Sequence, residues 1–296
     1  MTVKKDGSQA KARIINEHTN IVLLEKDGEV LYQGELSEQA STDMPDYSLL
    51  TVEGIVDFSD TADLSDVREL LDRQIAYNTA ISQEGLRGSY GANIGKVLLK
   101  EYGTDVKNRA KAAAAAGSDA RMNGCEMPVV ILSGSGNQGI TASLPVIEYA
   151  KEWNCSEEKL YRALLVSDLI TLHQKTGIGR LSAYCGAVSA GAGAGAGIAY
   201  LAGGGFEEIA HTLVNAIAIT SGIICDGAKA SCAAKIAASV DAGILGWNMY
   251  RNGQQFYGGD GVVSKGVENT IRNIGRLGKD GMRETDKEII RIMTGC

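Results

Sequence analysis

Two consecutive segments of the chain carry no charged side chain, and they restrict the fold more than any other feature. Residues 181–206 are mostly glycine and alanine, and residues 209–225 are uncharged and richer in isoleucine. A segment so rich in glycine and alanine is too weakly hydrophobic for a lipid-spanning helix. A linker would not be followed at once by a second uncharged segment. We therefore interpret both segments as central helices that pack against each other.

The remaining pattern predicts a mainly α-helical protein with a small β-containing N-terminal segment. Apolar runs at residues 21–24 and 30–32 flank Asp27-Gly28, a pair that favours a tight hairpin turn. A hairpin alone is only marginally stable, so this one is expected to pair with further structure. Apolar periodicity then predicts helices at residues 65–84, 91–101, 104–117, 141–153, 156–174, 183–202, 207–224, 228–245, 262–276 and 284–293.

We therefore divide the chain into a partial α+β segment, residues 1–57, and an all-helical domain, residues 58–296. Of the 296 residues, 37 are glycine, and only 5% are aromatic. Interior volume must then come from small and aliphatic side chains, which favours helices that approach each other closely.

The charge balance and the N-terminus narrow the classes of function. A net charge of −7 argues against nucleic acid as the main partner. The one basic cluster, from Lys4 to Arg13, is interpreted as a solvated terminal tail. The polar N-terminus lacks the apolar core of a signal peptide, which favours a cytoplasmic protein without a membrane partner. In that compartment, six cysteines are expected to be ligands, catalysts or core residues rather than disulfides.

Four cysteines follow residue 180 and are candidate metal ligands. Cys185, Cys225 and Cys232 have mostly small neighbours, and Cys296 is the last residue. Small neighbours let backbone and thiolate close around a bulky prosthetic group, and thiolates are preferred by soft metals and iron–sulfur clusters. The alternative is that each thiol is a small buried hydrophobic side chain. No CxxC pair is present to decide between the two.

A glycine-rich segment follows the apolar run at residues 129–132 and precedes a predicted helix. It consists of Ser133, Gly134, Ser135, Gly136, Asn137, Gln138 and Gly139. Its glycines fit the GxGxxG pattern of dinucleotide folds, but no alternation of strands and helices follows. Backbone N–H groups and polar side chains at a helix start predict instead a site for an anion such as a carboxylate. Pro145 could mark the true first turn, and a turn without a ligand is the remaining alternative.

Charged residues interrupt the apolar helices at two points. Residues 173–180 form a polar stretch in which Lys175 could act as a base if burial lowered its pKa, and Arg180 could orient an anionic substrate. A solvated loop between helices is the alternative interpretation. Asp226 and Lys229 lie one helical turn apart beside Cys225, so they are predicted either to form an ion pair or to face a catalytic site.

Four sequence blocks resemble the L-cysteine desulfidase family, which is related to the alpha chains of iron–sulfur L-serine dehydratases. The resemblance covers roughly residues 10–293. Its blocks are Asp119-Ala120-Arg121-Met122, Ser133 to Ile140, Gly179 to Gly186, and Cys225 to Cys232.

The resemblance implies a [4Fe-4S] enzyme that does not use pyridoxal phosphate. Such an enzyme releases hydrogen sulfide from L-cysteine, or water from L-serine, and leaves pyruvate and ammonia. Cys185 and Cys225 match cluster-ligand positions of both groups, and Cys232 matches the third cluster cysteine of the dehydratases. Cys296 corresponds to a C-terminal cysteine that can fold back onto the cluster. Cys125 and Cys155 match no ligand position.

The resemblance also implies partners. Full-length desulfidases have a further N-terminal portion with its own cysteine, so we expect a homo-oligomer or a partner that supplies this portion. The substrate is expected to be a small amino acid, with residues 133–139 and Arg180 binding it and Lys175, Asp226 and Lys229 acting in catalysis. A pyridoxal enzyme using Lys175 and a non-catalytic, truncated cluster-binding or scaffold subunit are the other two possibilities.

Overall fold

A computed structural model describes residues 1–15, 20–34, 46–179 and 182–295. The chain divides into two compact units, Met1–Asp46 and Tyr47–Cys296. The predicted domain boundary after residue 57 lies inside the first α-helix, Val52–Thr61.

The first unit contains a four-stranded antiparallel sheet of β1 (Thr2–Lys5), β2 (Ser8–Ile14), β3 (Ile21–Lys26) and β4 (Glu29–Gln33), in the strand order β1-β2-β3-β4. The predicted hairpin is present, and Asp27 and Gly28 both have positive φ at its turn. Residues 4–13 are not a terminal tail, because they form parts of strands β1 and β2 and the turn between them, but their basic side chains are exposed to solvent as expected. Strand β2 pairs with β3, so the hairpin finds its further strand within the chain.

The second unit is helical, which confirms the predicted fold class. Its described residues form eleven α-helices: α1 (Val52–Thr61), α2 (Arg68–Arg87), α3 (Ile94–Tyr102), α4 (Val106–Met122), α5 (Gly136–Glu152), α6 (Glu157–Ile178), α7 (Gly186–Leu201), α8 (Phe206–Thr220), α9 (Cys232–Arg251), α10 (Val267–Arg276) and α11 (Arg283–Thr294). A π-helical turn, Leu277–Gly281, follows α10.

Three helix limits differ from the prediction in ways that matter for the site. Helix α5 begins at Gly136, so Pro145 lies in its interior and does not mark its start. Helix α6 continues to Ile178, so most of the polar stretch at residues 173–180 is helical rather than a loop. Helix α9 begins only at Cys232, so residues 226–231 form a loop before it.

Helix α7 lies at the centre of the second unit, as its lack of charge predicts. All of its residues from Ala187 to Leu201 are buried. It packs against α5, α6, α8 and α9. The approach to α9 is so close that a Cβ on Gly191 would lie 2.4 Å from the carbonyl oxygen of Ser239. In the part of the chain that the structure describes, no helix is long and apolar enough to cross a membrane.

Candidate functional site

The segments that carry Cys185 and Cys225 are paired through their backbones. Cys185 is the N-cap residue of α7 and is 8% exposed. The Cys225 N–H donates to the carbonyl oxygen of Ala183 over 2.6 Å, and the Cys185 N–H donates to that of Ile223 over 3.4 Å. An isolated antiparallel bridge also joins the two segments. This pairing brings together two predicted ligands that the whole of α8 separates in sequence.

Cys232 begins α9 and closes a short loop from Cys225. Its Sγ accepts a hydrogen bond from the Lys229 N–H over 3.5 Å and donates to the carbonyl oxygen of Gly227 over 3.5 Å. Gly227 has φ of 95°, a backbone conformation that favours glycine. The loop therefore turns back on itself and holds the third thiol at the first turn of α9.

The Cys185 thiol lies within electrostatic range of both Cys225 and Cys232. Burial raises the pKa of the Cys185 thiol, and negative charge on Cys225 and Cys232 raises that pKa further. A hydrogen bond from the Ala187 N–H and the ammonium of Lys235 act in the opposite direction. A positively charged metal group bound at Cys185 would offset this repulsion and favour its thiolate.

The five cysteines of the described ranges are free thiols. Within the described ranges, no three His, Cys, Asp or Glu side chains converge closely enough to hold a metal ion. A single zinc ion needs every thiolate at about 2.3 Å from one point. The thiolates of an iron–sulfur cluster bind different iron atoms and need not converge on one point.

Lys175 lies in the last turn of α6, near two of these thiols. Its side chain is 5% exposed, and it forms no ion pair with any described residue. Burial lowers the pKa of its ammonium, and the thiols of Cys225 and Cys185 oppose that change. Burial therefore lowers the pKa of Lys175, which is the condition under which the sequence analysis considered it as a base. Arg180, the other predicted anion-binding side chain of this stretch, lies outside the described residues.

Asp226 does not pair with Lys229, the partner considered from sequence. Its carboxylate instead accepts a hydrogen bond from Lys235 of α9, and this bond holds the pKa of Asp226 below its usual value. The Lys235 ammonium also donates to the carbonyl oxygen of Ile224 over 3.0 Å. Residues 226–229 are not helical, so the spacing of one helical turn does not apply, and the Lys229 side chain is exposed.

The segment at residues 133–139 forms a tight turn and the first turn of α5. Ser133 and Gly134 both have positive φ, and the backbones of Leu132 and Ser135 exchange two hydrogen bonds. Ser135 is the N-cap but its side chain does not cap the helix. The N–H groups at the start of a helix lack partners within the helix, so this turn presents donors suited to an anion.

The nucleotide interpretation of the glycine pattern lacks its strand. The apolar run at residues 129–132 contributes only an isolated bridge at Leu132. A parallel sheet is absent from the described ranges, whose one sheet is antiparallel. Gly139 has a packing reason, because a Cβ there would lie 2.0 Å from the carbonyl oxygen of Val130.

Arg121, at the end of α4, was not identified as a site residue from sequence. Its guanidinium lies directly on the start of α5, where a Cβ on Gly136 would be 2.4 Å from its Nε. Its Nη1 donates to Oδ1 of Asn137 over 3.2 Å. Burial lowers its pKa, and the nearby thiol of Cys232 opposes this. The only signal in the sequence was its position in one of the four family-like blocks.

Gln138 connects the start of α5 to the start of α7. It is 6% exposed, and its Oε1 is buried without a hydrogen-bond partner. A Cβ on Gly186, the residue after Cys185, would lie 2.7 Å from its Nε2. The start of α5, on which Arg121 lies, and the start of α7, which carries Cys185, are therefore neighbours.

A model of the serine dehydratase alpha chain family matches residues 8–291. The chain belongs to the serine dehydratase alpha chain family. The predicted relation to the alpha chains of iron–sulfur L-serine dehydratases is thereby confirmed, and the family indicates a lyase of the serine dehydratase type.

Several bacterial proteins are similar over nearly the whole chain. The UPF0597 protein of Desulfitobacterium hafniense is 66% identical over 99% of this chain and 68% of its own length. That of Lachnoclostridium phytofermentans is 54% identical over 98% of this chain and 70% of its own. That of Treponema denticola is 47% identical over 99% of this chain and 69% of its own length.

In this member of the serine dehydratase alpha chain family, α10 and the π-helical turn brace the site from the side. A Cβ on Gly177 of α6 would lie 3.2 Å from Cα of Gly275. A Cβ on Gly278 would lie 3.0 Å from the Ile178 side chain and 3.1 Å from Cβ of Tyr184. The turns that carry Lys175 and Cys185 therefore rest on one common support.

The end of α11 reaches the loop between Cys225 and Cys232. The Met293 methyl group would lie 3.4 Å from a Cβ on Gly227. Cys296, predicted as a further ligand, lies outside the described residues.

Proposed function

We propose that this chain is a [4Fe-4S]-dependent lyase that removes hydrogen sulfide from L-cysteine and leaves pyruvate and ammonia. The observation that carries the proposal is the backbone pairing between the Cys185 and Cys225 segments, with Cys232 at the next helix start. A lyase of the serine dehydratase type with three adjacent thiols has the ligands such a cofactor needs.

The thiols of Cys185, Cys225 and Cys232 fit the proposed cluster, and Cys296 is proposed as the fourth ligand. Free thiols, with Cys225 and Cys232 in electrostatic range of Cys185, suit a group that binds each through a separate iron. The contact between Met293 and Gly227 supports the role of Cys296, because it brings the end of α11 to the ligand loop. A bound cluster would supply a Lewis-acidic iron to polarise the substrate's leaving group.

The side chains around the thiols would hold the substrate and move its protons. The α-carboxylate would bind at residues 133–139, with Arg180 as a further contact. Neutral Lys175 would take the Cα proton while the Cβ–S bond breaks and the sulfur leaves with that electron pair. The resulting aminoacrylate then reacts with water to give pyruvate and ammonia. Asp226, held by its hydrogen bond from Lys235, would fix the loop between Cys225 and Cys232. Lys229 would act from the exposed side of this loop.

L-serine is the second candidate substrate, since the family description names serine dehydratase. Loss of water from L-serine and of hydrogen sulfide from L-cysteine require the same proton abstraction and the same carboxylate site. The alpha chain description also supports a second chain as partner, beside a homo-oligomer or a partner that supplies an N-terminal portion.

The decisive experiment measures iron, acid-labile sulfide and the visible spectrum of protein purified without oxygen, followed by pyruvate release from L-cysteine and L-serine. We expect about four irons per chain and loss of colour in Cys185→Ala. Cys155→Ala is the matched control, because Cys155 is also a free thiol but belongs to no proposed ligand set. Colourless protein that no iron and sulfide can reconstitute would contradict the proposal and favour a non-catalytic scaffold subunit.

A further inference from the structure

Two positive features lie together at the start of α5 without a negatively charged partner among the residues that the structure describes. The first turn of the helix presents N–H groups and the positive end of its dipole. The Arg121 guanidinium lies on this turn, and it forms no salt bridge with any described residue. A half-buried cation beside a helix N-terminus is destabilised by both desolvation and repulsion, and a bound anion removes both costs.

The local sequence keeps the guanidinium in this position. A side chain at Gly136 would displace it, since a Cβ would lie 2.4 Å from Nε and 2.9 Å from Cζ of Arg121. Asn137 Oδ1 accepts from Nη1 over 3.2 Å and so fixes the plane of the group. The remaining donors of the planar fork match the geometry of a carboxylate.

Gln138 is an independent sign that a ligand belongs here. It lies on the same first turn, is 6% exposed and has an Oε1 without a hydrogen-bond partner. A buried amide oxygen that lacks a donor is costly, and a ligand's ammonium group would supply that donor.

We infer that Arg121 binds the α-carboxylate of a free amino acid at the start of α5, with Gln138 accepting from its α-ammonium group. The inference rests on the proposed function for the reaction, but not for the binding. The site lies between Cys232, which is in electrostatic range of Arg121, and Gly186, which follows Cys185. An amino acid held there by its two charged groups directs its β-substituent toward the thiols. Amino-acid amides, which lack the free carboxylate, are excluded, and so are peptides, whose free carboxylate and free ammonium belong to different residues.

The test compares the binding of L-alanine and L-alaninamide by calorimetry to anaerobically purified protein. L-alanine has no leaving group, so its binding is read without turnover. We expect wild type to prefer L-alanine at least about tenfold and Arg121→Gln to bind it about 10–100 times more weakly, which removes the preference. Arg121→Lys keeps the charge but not the fork and is expected to fall between the two. Equal L-alanine affinity in wild type and Arg121→Gln, or no binding by wild type, would overturn the inference.

Two further variants keep the test informative. Arg272→Gln is the matched control, because Arg272 also donates to an asparagine Oδ1, that of Asn269 over 2.9 Å, on the exposed face of α10. It is expected to bind as wild type does. Asn137→Ala leaves the charge but frees the guanidinium, and a several-fold loss of affinity is expected even if Arg121→Gln fails to fold.

The two proposals can fail separately. Retained discrimination between L-alanine and L-alaninamide in protein that forms no pyruvate would reject the reaction and keep the carboxylate site. Pyruvate formation with an unchanged KM in Arg121→Gln would reject the carboxylate site and keep the reaction.

Discussion

Helix α7 and the N-terminal sheet represent opposite ways of stabilising a secondary structure. In α7, fifteen of the sixteen residues are buried. In the sheet, Val22 is the one buried residue within the described ranges. The helix depends on packing by glycine and alanine against four neighbours, whereas the sheet depends on backbone ladders and on polar contacts at its turns.

The difference teaches where the chain tolerates change. Four glycines of α7 cannot gain one methyl group without moving a neighbouring backbone, because close-packed interiors transmit strain; they are Gly191, Gly193, Gly195 and Gly197. A residue in the sheet mostly faces solvent, where substitutions usually alter stability by less than about 0.5 kcal/mol. The candidate catalytic groups all lie in the second unit, around one end of α7.

The largest expected effect is that of Gly191→Ala in α7. Its new Cβ would meet the backbone of Ser239 at 2.4 Å, so we expect a loss of at least about 1–3 kcal/mol in the free energy of unfolding. Denaturant unfolding measures this loss. Gly222→Ala is the control, since a Cβ there has no neighbour within 4 Å, and its stability should remain near wild type. Equal stability of the two variants would show that α7 can move apart from α9.

The second-largest expected effect is on the pH dependence of stability, which should differ between the two regions. Asp119 is 1% exposed, and burial raises its pKa from 3.8 to about 6 despite a hydrogen bond from the Gly95 N–H. Folding then takes up a proton between about pH 4 and 6. Asp119 is therefore least destabilising at low pH, and stability is lost as the pH rises toward 6, by up to about 3 kcal/mol.

The comparison is with Asp27 at the sheet turn. Hydrogen bonds from Gln9 and Ser8 lower its pKa, so its contribution is present at neutral pH and lost as the pH falls. The free energy of unfolding, measured from pH 4 to 7, should fall less steeply with pH in Asp119→Asn than in wild type. In Asp27→Asn it should fall as steeply as in wild type. An unchanged slope in Asp119→Asn would mean that another group controls it.

A smaller change is expected for Lys175→Met. The substitution removes a buried amine whose charged form is disfavoured by burial and has no ion-pair partner in the described structure, so the cofactor-free protein should unfold a few degrees higher. The same protein loaded with iron and sulfide should form no pyruvate. Full turnover in this variant would exclude Lys175 as the base, whereas a lower unfolding temperature would show that its charge is compensated.

The smallest effect is predicted for Ser8→Ala in the sheet. The Ser8 hydroxyl donates to the Asp27 carboxylate over 2.8 Å at an exposed position. We expect unfolding within about 0.5 kcal/mol of wild type. A loss as large as that of Gly191→Ala would contradict the contrast between the two regions.

The sequence predicts the helical class and α7 well because absence of charge and periodicity are local signals. Helix α1 is missing from the predictions, although Thr51 caps it and Glu53 lies in its first turn. The sheet strands β1 and β2 are missing as well, since their lysines mask the alternation of a strand exposed on both faces.

The candidate site is less predictable because its contacts join distant segments. The candidate cysteines could be identified from their small neighbours, and Lys175 from a polar stretch that interrupts the apolar helices. The pairing of Asp226 with Lys235 could not, because it depends on where α9 begins. Arg121 was equally hidden, since its role depends on a contact with Gly136 that only the packing of α4 on α5 creates.

The glycines of α10 and of the π-helical turn after it make this segment a mechanical link as well as a support. A Cβ on Gly275 would lie 3.0 Å from Cα of Gly177, two residues after Lys175, and a Cβ on Gly278 would lie 3.1 Å from Cβ of Tyr184, the residue before Cys185. Because neither position has room for one more carbon atom, the packing there leaves little space for a shift. A molecule that pushed α10 sideways by an ångström would move the proposed base and a proposed ligand at once.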